Sequence, residues 1–473
     1  MRQSKLYQAI IRLSGHELNR LHRFILSPYF NRNDAILHLF EWIKSDLKGD
    51  QKDEITKEDL WSICFGKGEK FNDGRFRKLQ SDLLKLIEEF YAQEEYVANP
   101  IHKGKYLLES VYNRNLNELQ SGALRSANKF IEAQTLKPAF YYYYRYEIEQ
   151  SIFKLNRLQT ERSTKSNIEV IAENLDRFYL AEKLRYYCTI LDHQNLVEVN
   201  YKMLFIDEII DHVKQNDYSD TPPITIYFVI LQCYKQPFER EHFDDLKVLI
   251  KKHIHIFPEN EVAEILDSAL NYCIKRMNAG ESEFIQEAFQ LFQDWIPKGL
   301  LFVRGRLTPY HFKNIVTAGL RLSEFDWIEN FITEYSPYLD DKHRENAVTF
   351  NMAQLYFYKK QYEKVIHLLS KVEYDDMTYN LNSKTLLMAS YYELDEIEAL
   401  DSLLDTFRVY LNRNKELPSA RRKHYLNTIR LVRKLSKLQP GDSQTVGNLI
   451  LEVETTQGVV SKNWILEKLQ SLK

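Results

Sequence analysis

The chain has 473 residues, of which 28% are charged and 44% are apolar, and its formal net charge at pH 7 is −3. This balance excludes a strongly basic nucleic-acid-binding surface over the whole protein, while local basic patches stay possible. With only 14 glycines and 12 prolines, both below their usual shares of about 7% and 5%, the composition favours an all-α chain with short loops. No apolar run approaches the roughly 18 residues that a membrane-spanning helix needs.

Residues 1–97 are predicted to form a small N-terminal helical domain. Ser14 and Glu17 make a capping box at the start of one helix, and Thr56 and Asp59 make a similar start for a short one. A long helix is predicted from about Asp73. Its apolar residues recur at helical spacing: Phe76, Leu79, Leu83, Ile87 and Phe90. The segment Ala98-Asn99-Pro100 then indicates a domain boundary.

Residues 103–473 are predicted to form a solenoid of stacked helices. In the first helix pair, Ser121-Gly122 is expected to interrupt the helical pattern. Asn278-Ala279-Gly280 predicts a helix end, and Thr308-Pro309 predicts a helix start. Near the C-terminus, one apolar stripe predicts a helix that caps the solenoid: Ile465, Leu469 and Leu472.

Two segments near the C-terminus align with each other at a lag of 35 residues. Leu355–Glu363 falls on Ser390–Glu398, and the apolar residues downstream also correspond: Val365, Leu368, Leu369 and Val372 with Leu400, Leu403, Leu404 and Phe407. A helix pair that repeats at this period cannot bury its apolar face alone, so it stacks on copies of itself.

The aligned segments resemble tetratricopeptide repeats, most clearly over residues 344–412. The family's packing positions combine small and aromatic residues, and in the first copy they are occupied by Ala353, Tyr356, Tyr362 and Val365. The second copy has Met388, Tyr391, Ile397 and Leu400 at these positions instead. A weaker third copy contains Leu320, Phe325, Ile328, Ile332 and Tyr335. The family's glycine, alanine and proline are replaced here by larger residues. The resemblance implies a tetratricopeptide-like α-α superhelical solenoid.

The N-terminal domain resembles the start of an uncharacterised family of helical bacterial proteins. The residues that carry this resemblance are Ser27-Pro28-Tyr29-Phe30-Asn31. The resemblance implies no activity.

No motif predicts an enzyme, a cofactor or a metal site. The chain has no HExxH and no GxSxG motif, and Gly66-Lys67-Gly68-Glu69 lacks the GxxxxGK[ST] pattern of a phosphate-binding loop. His253 and His255 lie two residues apart, so they are expected on different faces of a helix. The four cysteines form no CxxC pair, and the N-terminus lacks the apolar core of a signal peptide. We expect reduced, buried thiols in a cytoplasmic protein.

Two helices with apolar residues on more than one face also carry charged residues and tyrosines. Solenoids bind peptides or ligands on their concave surface, so these residues are candidates for a binding groove. The candidates are Arg145, Tyr146, Glu149, Lys183 and Tyr186. The alternative is a tyrosine-rich core with internal ion pairs.

Two segments are rich in basic residues, namely 2–32 and 408–437. The residues proposed as a basic patch are Arg421, Arg422, Lys423 and Arg430. A patch of this density can contact phosphates or an acidic protein, and a solvated helix face is the alternative.

The sequence therefore predicts a non-catalytic scaffold or adaptor that binds a protein or peptide on a concave helical surface. The second possibility is a regulator that senses a ligand or contacts nucleic acid through the two basic segments. No membrane association is predicted.

Overall fold

The computed structural model describes residues 4–49, 55–157, 166–196, 199–370, 377–414, 417–438 and 443–472. These residues form an all-α, solenoid-like fold, as predicted, with one two-stranded hairpin among the described segments. The chain divides into two compact units: unit 1 comprises Met1–Tyr179 and unit 2 comprises Leu180–Lys473. A domain boundary between residues 97 and 103 stays a prediction.

Unit 1 contains eight complete helices in its described residues and the start of a ninth. They are α1 (Lys5–Ile10), α2 (Gly15–Leu26), α3 (Asp34–Leu47), α4 (Lys57–Phe65), α5 (Asp73–Ala98), α6 (Pro100–Asn113), α7 (Asn117–Glu132), α8 (Ala139–Arg157) and α9 (Ile168–Leu196), of which α9 continues into unit 2.

Helices α1 to α5 enclose one apolar core. Its fully buried residues include Phe40, Trp61, Phe76 and Leu83, from three of these helices. Both predicted capping boxes are present: Ser14 with Glu17 starts α2, and Thr56 with Asp59 starts α4. The predicted face of α5 is buried from Phe76 to Phe90.

Helices α6, α7 and α8 enclose a second core. Leu108, Ala127 and Ile148 are fully buried in it. The predicted interruption at Ser121-Gly122 is wrong, because α7 runs unbroken through both residues. Ala123 and Ala127 bury one face of α7, and this packing outweighs the roughly 1 kcal/mol cost of a glycine inside a helix.

Unit 2 contains the end of α9 and fourteen further helices in its described residues. They are α10 (Ile206–Gln215), α11 (Pro222–Lys235), α12 (Arg240–His253), α13 (Glu259–Asn278), α14 (Glu283–Trp295), α15 (Pro309–Arg321), α16 (Phe325–Tyr335), α17 (Asp341–Tyr358), α18 (Tyr362–Leu369), α19 (Met377–Glu393), α20 (Ile397–Arg413), α21 (Ser419–Leu435), α22 (Ser443–Thr455) and α23 (Lys462–Ser471). Short 3₁₀ helices follow α12 and α16 at Ile254–Ile256 and Ser336–Tyr338, and strands β1 (Phe302–Val303) and β2 (Arg306–Leu307) pair antiparallel before α15.

Consecutive helices of unit 2 pack in pairs, and the first helices of several successive pairs also pack on each other, namely α11 on α13, α15 on α17 and α17 on α19. The pairs include α11 with α12, α13 with α14, α15 with α16, α17 with α18 and α19 with α20. Helix α17 contacts both α15 and α19 through their sides. This arrangement is that of a helical solenoid, in which each pair covers the apolar face of the next.

The two aligned segments have the same turn between their helices. The backbone N–H of Gln361 donates to the carbonyl of Tyr356 at 2.8 Å, and the N–H of Glu396 donates to the carbonyl of Tyr391 at 2.9 Å. Lys360 precedes the first donor with φ of +57°, and Asp395 precedes the second with φ of +58°. This is a Schellman-type helix end with a left-handed residue, 35 positions apart in the two copies. Val372 of the alignment lies outside the described residues.

A third turn of the same kind joins α15 to α16. The N–H of Glu324 donates to the carbonyl of Gly319 at 3.0 Å, and Ser323 has φ of +62°. Gly319 lies where α15 and α16 approach most closely, because a Cβ there would lie 2.5 Å from Cδ1 of Ile328 and 2.9 Å from Cε2 of Phe289. The predicted start at Thr308-Pro309 is confirmed, since the Thr308 hydroxyl accepts from the N–H of His311 at 3.1 Å.

Helices α19 to α23 share the last core of unit 2. Ile465 and Leu469 of the predicted closing helix, now α23, are fully buried in it, and Leu472 is half-buried. The indole N–H of Trp464 donates to the Glu393 carboxylate at 2.8 Å. A helix at the predicted place therefore closes this core.

Candidate functional site

The predicted groove residues of unit 1 lie on α8 and make local contacts. The hydroxyl of Tyr146 accepts a hydrogen bond from the side-chain amide of Gln150 at 2.6 Å. The Glu149 carboxylate accepts from the side-chain amide of Asn167 at 2.7 Å. Arg145 is half-buried, and its Nε has no hydrogen-bond partner among the described residues. Of these contacts, the one between Glu149 and Asn167 joins α8 to the residue that precedes α9.

The two predicted groove residues of unit 2 lie on the C-terminal part of α9. The ammonium of Lys183 lies 5.3 Å from the ring centre of Tyr187, and Tyr186 is 57% exposed. A groove that joins all five predicted residues stays a prediction.

The predicted basic patch lies on α21, and some of its charge is neutralised. Arg430 and Lys434 both pair with Glu452 of α22, and Arg433 pairs with Asp405 of α20 at 2.7 Å. These ion pairs hold α21 against its neighbours. They reduce the positive potential that a phosphate group would meet on this face.

The remaining patch residues differ in exposure. Arg422 is half-buried and donates to the carbonyl oxygens of Asn414 and Leu417 at 2.8 and 3.2 Å. Arg421 and Lys423 are exposed. Lys415 and Glu416 of this segment, and Arg2 of the N-terminal basic segment, lie outside the described residues.

A cavity in the described part of unit 2 has a volume of about 570 Å³. Helices α9, α11, α13 and α15 form its walls. The lining residues are Asp192, Cys233, Tyr234, Asp267, Ser268, Asn271, Tyr272, Ile274, Lys275 and Tyr310. This volume is within the range of small-molecule and side-chain binding pockets.

Two donors hold the carboxylate of Asp192 on the wall of this cavity. The side-chain amide of Asn271 donates to it at 2.8 Å, and the Tyr234 hydroxyl donates at 3.3 Å. Burial and the nearby Asp192 carboxylate together raise the pKa of Tyr234, so this phenol stays a donor at neutral pH. No described Lys, Arg or His nitrogen lies within 4 Å of the Asp192 carboxylate. Asp192 is therefore fixed in place and available to a cation.

A second carboxylate, that of Asp267, lies on the same wall. It contacts Nε2 of the buried His311 at 2.7 Å, and 44% of the Asp267 side chain is exposed. The cation Lys275 also lines the cavity, and its side chain is exposed. The ionisable lining thus combines two carboxylates with one ammonium group.

A smaller cavity of about 260 Å³ adjoins the first between α13, α14 and α15. The two cavities share Ile274 and Tyr310 in their linings. Apolar side chains from α13 and α14 make most of the smaller one: Leu270, Ile274, Met277, Ile285, Ala288 and Phe292. We call the two cavities together the α13–α15 groove.

One face of α15 lines the smaller cavity, and Tyr310 at the start of this face also lines the larger cavity. The residues of this face recur at helical spacing: Tyr310, Asn314, Thr317 and Arg321. Tyr310 is 58% exposed, and Arg321 at the other end of the face is also exposed. In the described chain, no carboxylate lies within 4 Å of the Arg321 guanidinium. The larger cavity therefore presents the Asp192 carboxylate beside the Lys275 ammonium, and the smaller cavity combines apolar side chains with the Arg321 guanidinium.

A buried polar network supports the α9 and α13 walls. The Tyr227 hydroxyl of α11 donates to the Glu261 carboxylate at 2.8 Å, and Glu261 is 2% exposed. Arg185 of α9 donates from Nε and Nη2 to the two carboxylate oxygens of Glu264, each at 3.0 Å. Burial raises the pKa of Glu261, while the Tyr227 hydrogen bond and Arg185 act in the opposite direction.

The cysteines are free and buried, as predicted. Burial raises the pKa of Cys64 to about 11 and those of Cys233 and Cys273 to about 12. A thiol with such a pKa is a poor nucleophile at neutral pH. In the part of the chain that the structure describes, no group of three or more His, Cys, Asp or Glu residues is arranged to hold a metal ion.

None of the described helices combines the length and the apolar content that crossing a bilayer requires. Comparison of the chain with protein-family models, with curated proteins and with solved structures finds no match. Functional conclusions therefore depend on the geometry of the helices and on the chemistry of their side chains.

Sequence reasoning did not identify the groove. A signal was present in the spacing of Asp267, Asn271 and Ile274 on one face of α13, and in the polar face of α15. Each pattern alone is typical of any half-exposed helix. The side chain of Asn271 meets that of Asp192 across 79 positions of sequence, and periodicity within one helix gives no information on such a contact.

Proposed function

We propose that this chain is a non-catalytic scaffold or adaptor whose tetratricopeptide-like helix pairs present the α13–α15 groove to a protein or peptide partner. The observation that carries this proposal is the pair of adjoining cavities, about 570 and 260 Å³ in volume, along one face of α13. Solenoids use elongated surfaces of this kind to bind extended or helical segments.

Three further observations support the proposal. The groove combines apolar side chains with a few fixed polar groups, which is the composition of recognition sites. The described residues hold no metal-binding cluster, and the thiols are buried with raised pKa values. The turns at Lys360 and Asp395 have the same hydrogen bonds 35 residues apart, which agrees with a repeat family. We also propose a cytoplasmic location, since the four cysteines are free and buried.

A groove-filling variant tests the function. Ile274 is half-buried and lines both cavities, so Ile274→Trp adds an indole to the space that a partner needs. Val248 of α12 is 64% exposed and outside the groove lining, so Val248→Trp is the matched control. Affinity purification with the full chain should recover a protein with the wild type and the control, but not with Ile274→Trp. Equal recovery with Ile274→Trp, or recovery of no protein, contradicts the proposal.

Nucleic-acid contact through segments 2–32 and 408–437 is the second proposal, carried by the exposed Arg421 and Lys423. Nucleic-acid contact is less favoured than partner binding in the groove, because Arg430 is already paired with Glu452. If nucleic-acid contact is correct, the protein should be retained on heparin, and this retention should fall steeply with salt. It should be lost in a variant with Arg421, Arg422 and Lys423 all changed to Glu. Absence of retention at low salt excludes nucleic-acid contact.

A further inference from the structure

We propose that the occupant of the α13–α15 groove is an extended peptide segment that places a lysine or arginine side chain against Asp192 and an apolar side chain in the smaller cavity. This inference rests on the proposed function and specifies the chemistry of the partner.

The charge of the larger cavity selects a basic group. Asp192 is held by Asn271 and Tyr234, both neutral donors, so its negative charge is not compensated by a described cation within 4 Å. Asp267 adds a second carboxylate on the same wall, and its contact with His311 fixes its position. Lys275 is exposed on the lining. An incoming ammonium or guanidinium group gains charge-assisted hydrogen bonds here with little rearrangement of the wall.

The smaller cavity selects an apolar group. Leu270, Met277, Ile285 and Phe292 lie on its walls, and its volume of about 260 Å³ accommodates one large apolar side chain. Burial of a large apolar side chain in such a pocket is typical of an anchor residue. The two cavities share Ile274, so a basic and an apolar side chain of one segment can occupy them together.

The length of the groove fits a short extended segment. The lining face of α15 runs from Tyr310 to Arg321, eleven positions apart, or about 16 Å at 1.5 Å per residue. An extended peptide covers that distance with about five residues at roughly 3.3 Å each. The two cavities adjoin at Ile274 and Tyr310, so side chains two or three positions apart on an extended segment can enter both of them. The exposed guanidinium of Arg321 is available to carbonyl or carboxylate oxygens of the same segment.

A library of blocked hexapeptides, screened against the full chain, tests the motif. The expected result is enrichment of lysine or arginine two or three positions from phenylalanine, leucine or methionine. Replacing the basic residue of the best peptide by norleucine should weaken binding at least about tenfold, because hydrogen bonds to a charged group typically contribute 1.5–3 kcal/mol. This arm needs no protein variant, so it is independent of folding. Enrichment of a motif without a basic residue, or of no motif, overturns the proposal.

Protein variants locate the contact. Asp192→Asn keeps the side-chain shape and removes the charge. It should weaken binding of the best peptide at least about tenfold and reduce the effect of salt on the dissociation constant of that peptide. Asp211→Asn on the exposed face of α10 is the matched control and should change neither. Asp267→Asn is the second variant and should also weaken binding. Wild-type affinity in both Asp192→Asn and Asp267→Asn overturns the proposal.

Two outcomes separate this inference from the proposed function. A partner that is lost with Ile274→Trp but binds through a segment without a basic residue overturns the inference and leaves the function intact. If Ile274→Trp does not affect binding of the partner, the groove is not the binding site, and both the proposed function and this inference are wrong. If Nα-acetyl-lysine amide, which keeps its side-chain ammonium group, binds alone as tightly as the peptide, the occupant is a small amine and the peptide assignment is wrong.

Discussion

Gly319→Ala adds a single methyl group at the closest approach of α15 and α16. The added Cβ would lie 2.5 and 2.7 Å from Cδ1 and Cγ1 of Ile328 and 2.9 Å from Cε2 of Phe289. All three distances are well below van der Waals contact, which is about 3.5–4.0 Å between carbon atoms. Ile328 is fully buried and Phe289 is 1% exposed. Neither side chain can move into solvent, so the added methyl group must displace the buried side chains of Ile328 on α16 and Phe289 on α14 or shift the helices that carry them.

The expected loss follows from two opposing terms. Overpacking of a core costs about 1–3 kcal/mol, and alanine gains roughly 1 kcal/mol over glycine in a helix interior. We therefore expect Gly319→Ala to lower the free energy of unfolding of unit 2 by up to about 2 kcal/mol. Gly447 of α22 is also a helix-interior glycine of unit 2, but no atom lies within 4 Å of a Cβ built on it. Gly447→Ala should stabilise unit 2 by about 0.5–1 kcal/mol.

Urea unfolding of the full chain, followed by circular dichroism, measures both variants in the same transition. The double variant Gly319→Ala/Ile328→Ala identifies the cause, because removing the isoleucine side chain also removes the overlap. It should lose at least about 1 kcal/mol less than the sum of the two single losses. If Gly319→Ala is as stable as Gly447→Ala, or if the two single losses add, the packing argument at Gly319 is refuted.

Three further predictions concern the interior. Tyr227→Phe leaves the buried Glu261 carboxylate without its phenolic donor and should cost about 1–3 kcal/mol. Burial already raises the pKa of Glu261, and the Tyr227 hydrogen bond acts against this by favouring the ionised carboxylate. The loss in the free energy of unfolding should therefore be larger at pH 8, where the carboxylate is ionised, than at pH 5. An equal loss at both pH values contradicts this role of Tyr227. Thr428→Val removes the hydroxyl that accepts from the backbone N–H of Val460 at 2.8 Å and should cost about 1–3 kcal/mol by thermal unfolding. The four buried thiols should react with a disulfide reagent at pH 8 only after addition of denaturant, and fast reaction in the native state contradicts their burial.

Local features of the fold were predictable from the sequence. The caps at Ser14, Thr56 and Thr308 depend on residues within three positions of one another, so their spacing is visible in the chain. The apolar stripes of α5 and α23 are buried for the same reason. Gly122 was expected to interrupt a helix because of its low helix propensity, but α7 continues through it. Burial of one face of α7 outweighs the local propensity at this position.

Contacts between distant helices were not predictable. The Asp192 carboxylate lies on α9 and the Asn271 amide on α13, and three complete helices and a 3₁₀ turn separate these two helices in the chain. The charge density near Arg430 was visible, but its ion pair with Glu452 depends on how α21 packs on α22. A candidate site made by several helices therefore needs the packing as well as the pattern.

The left-handed turns give the chain a way to change its length in whole helix pairs. Joining Lys359 directly to Asp395 would excise 35 residues and put Asp395 where Lys360 stood, with the same φ. Glu396 would then take the place of Gln361 as donor to Tyr356. The excision keeps the turn intact and shortens the stack by one pair. Duplication or deletion of one 35-residue unit in the gene would lengthen or shorten the protein by one helix pair. The left-handed turn at the junction would be retained, so the helix before it could end as it does now.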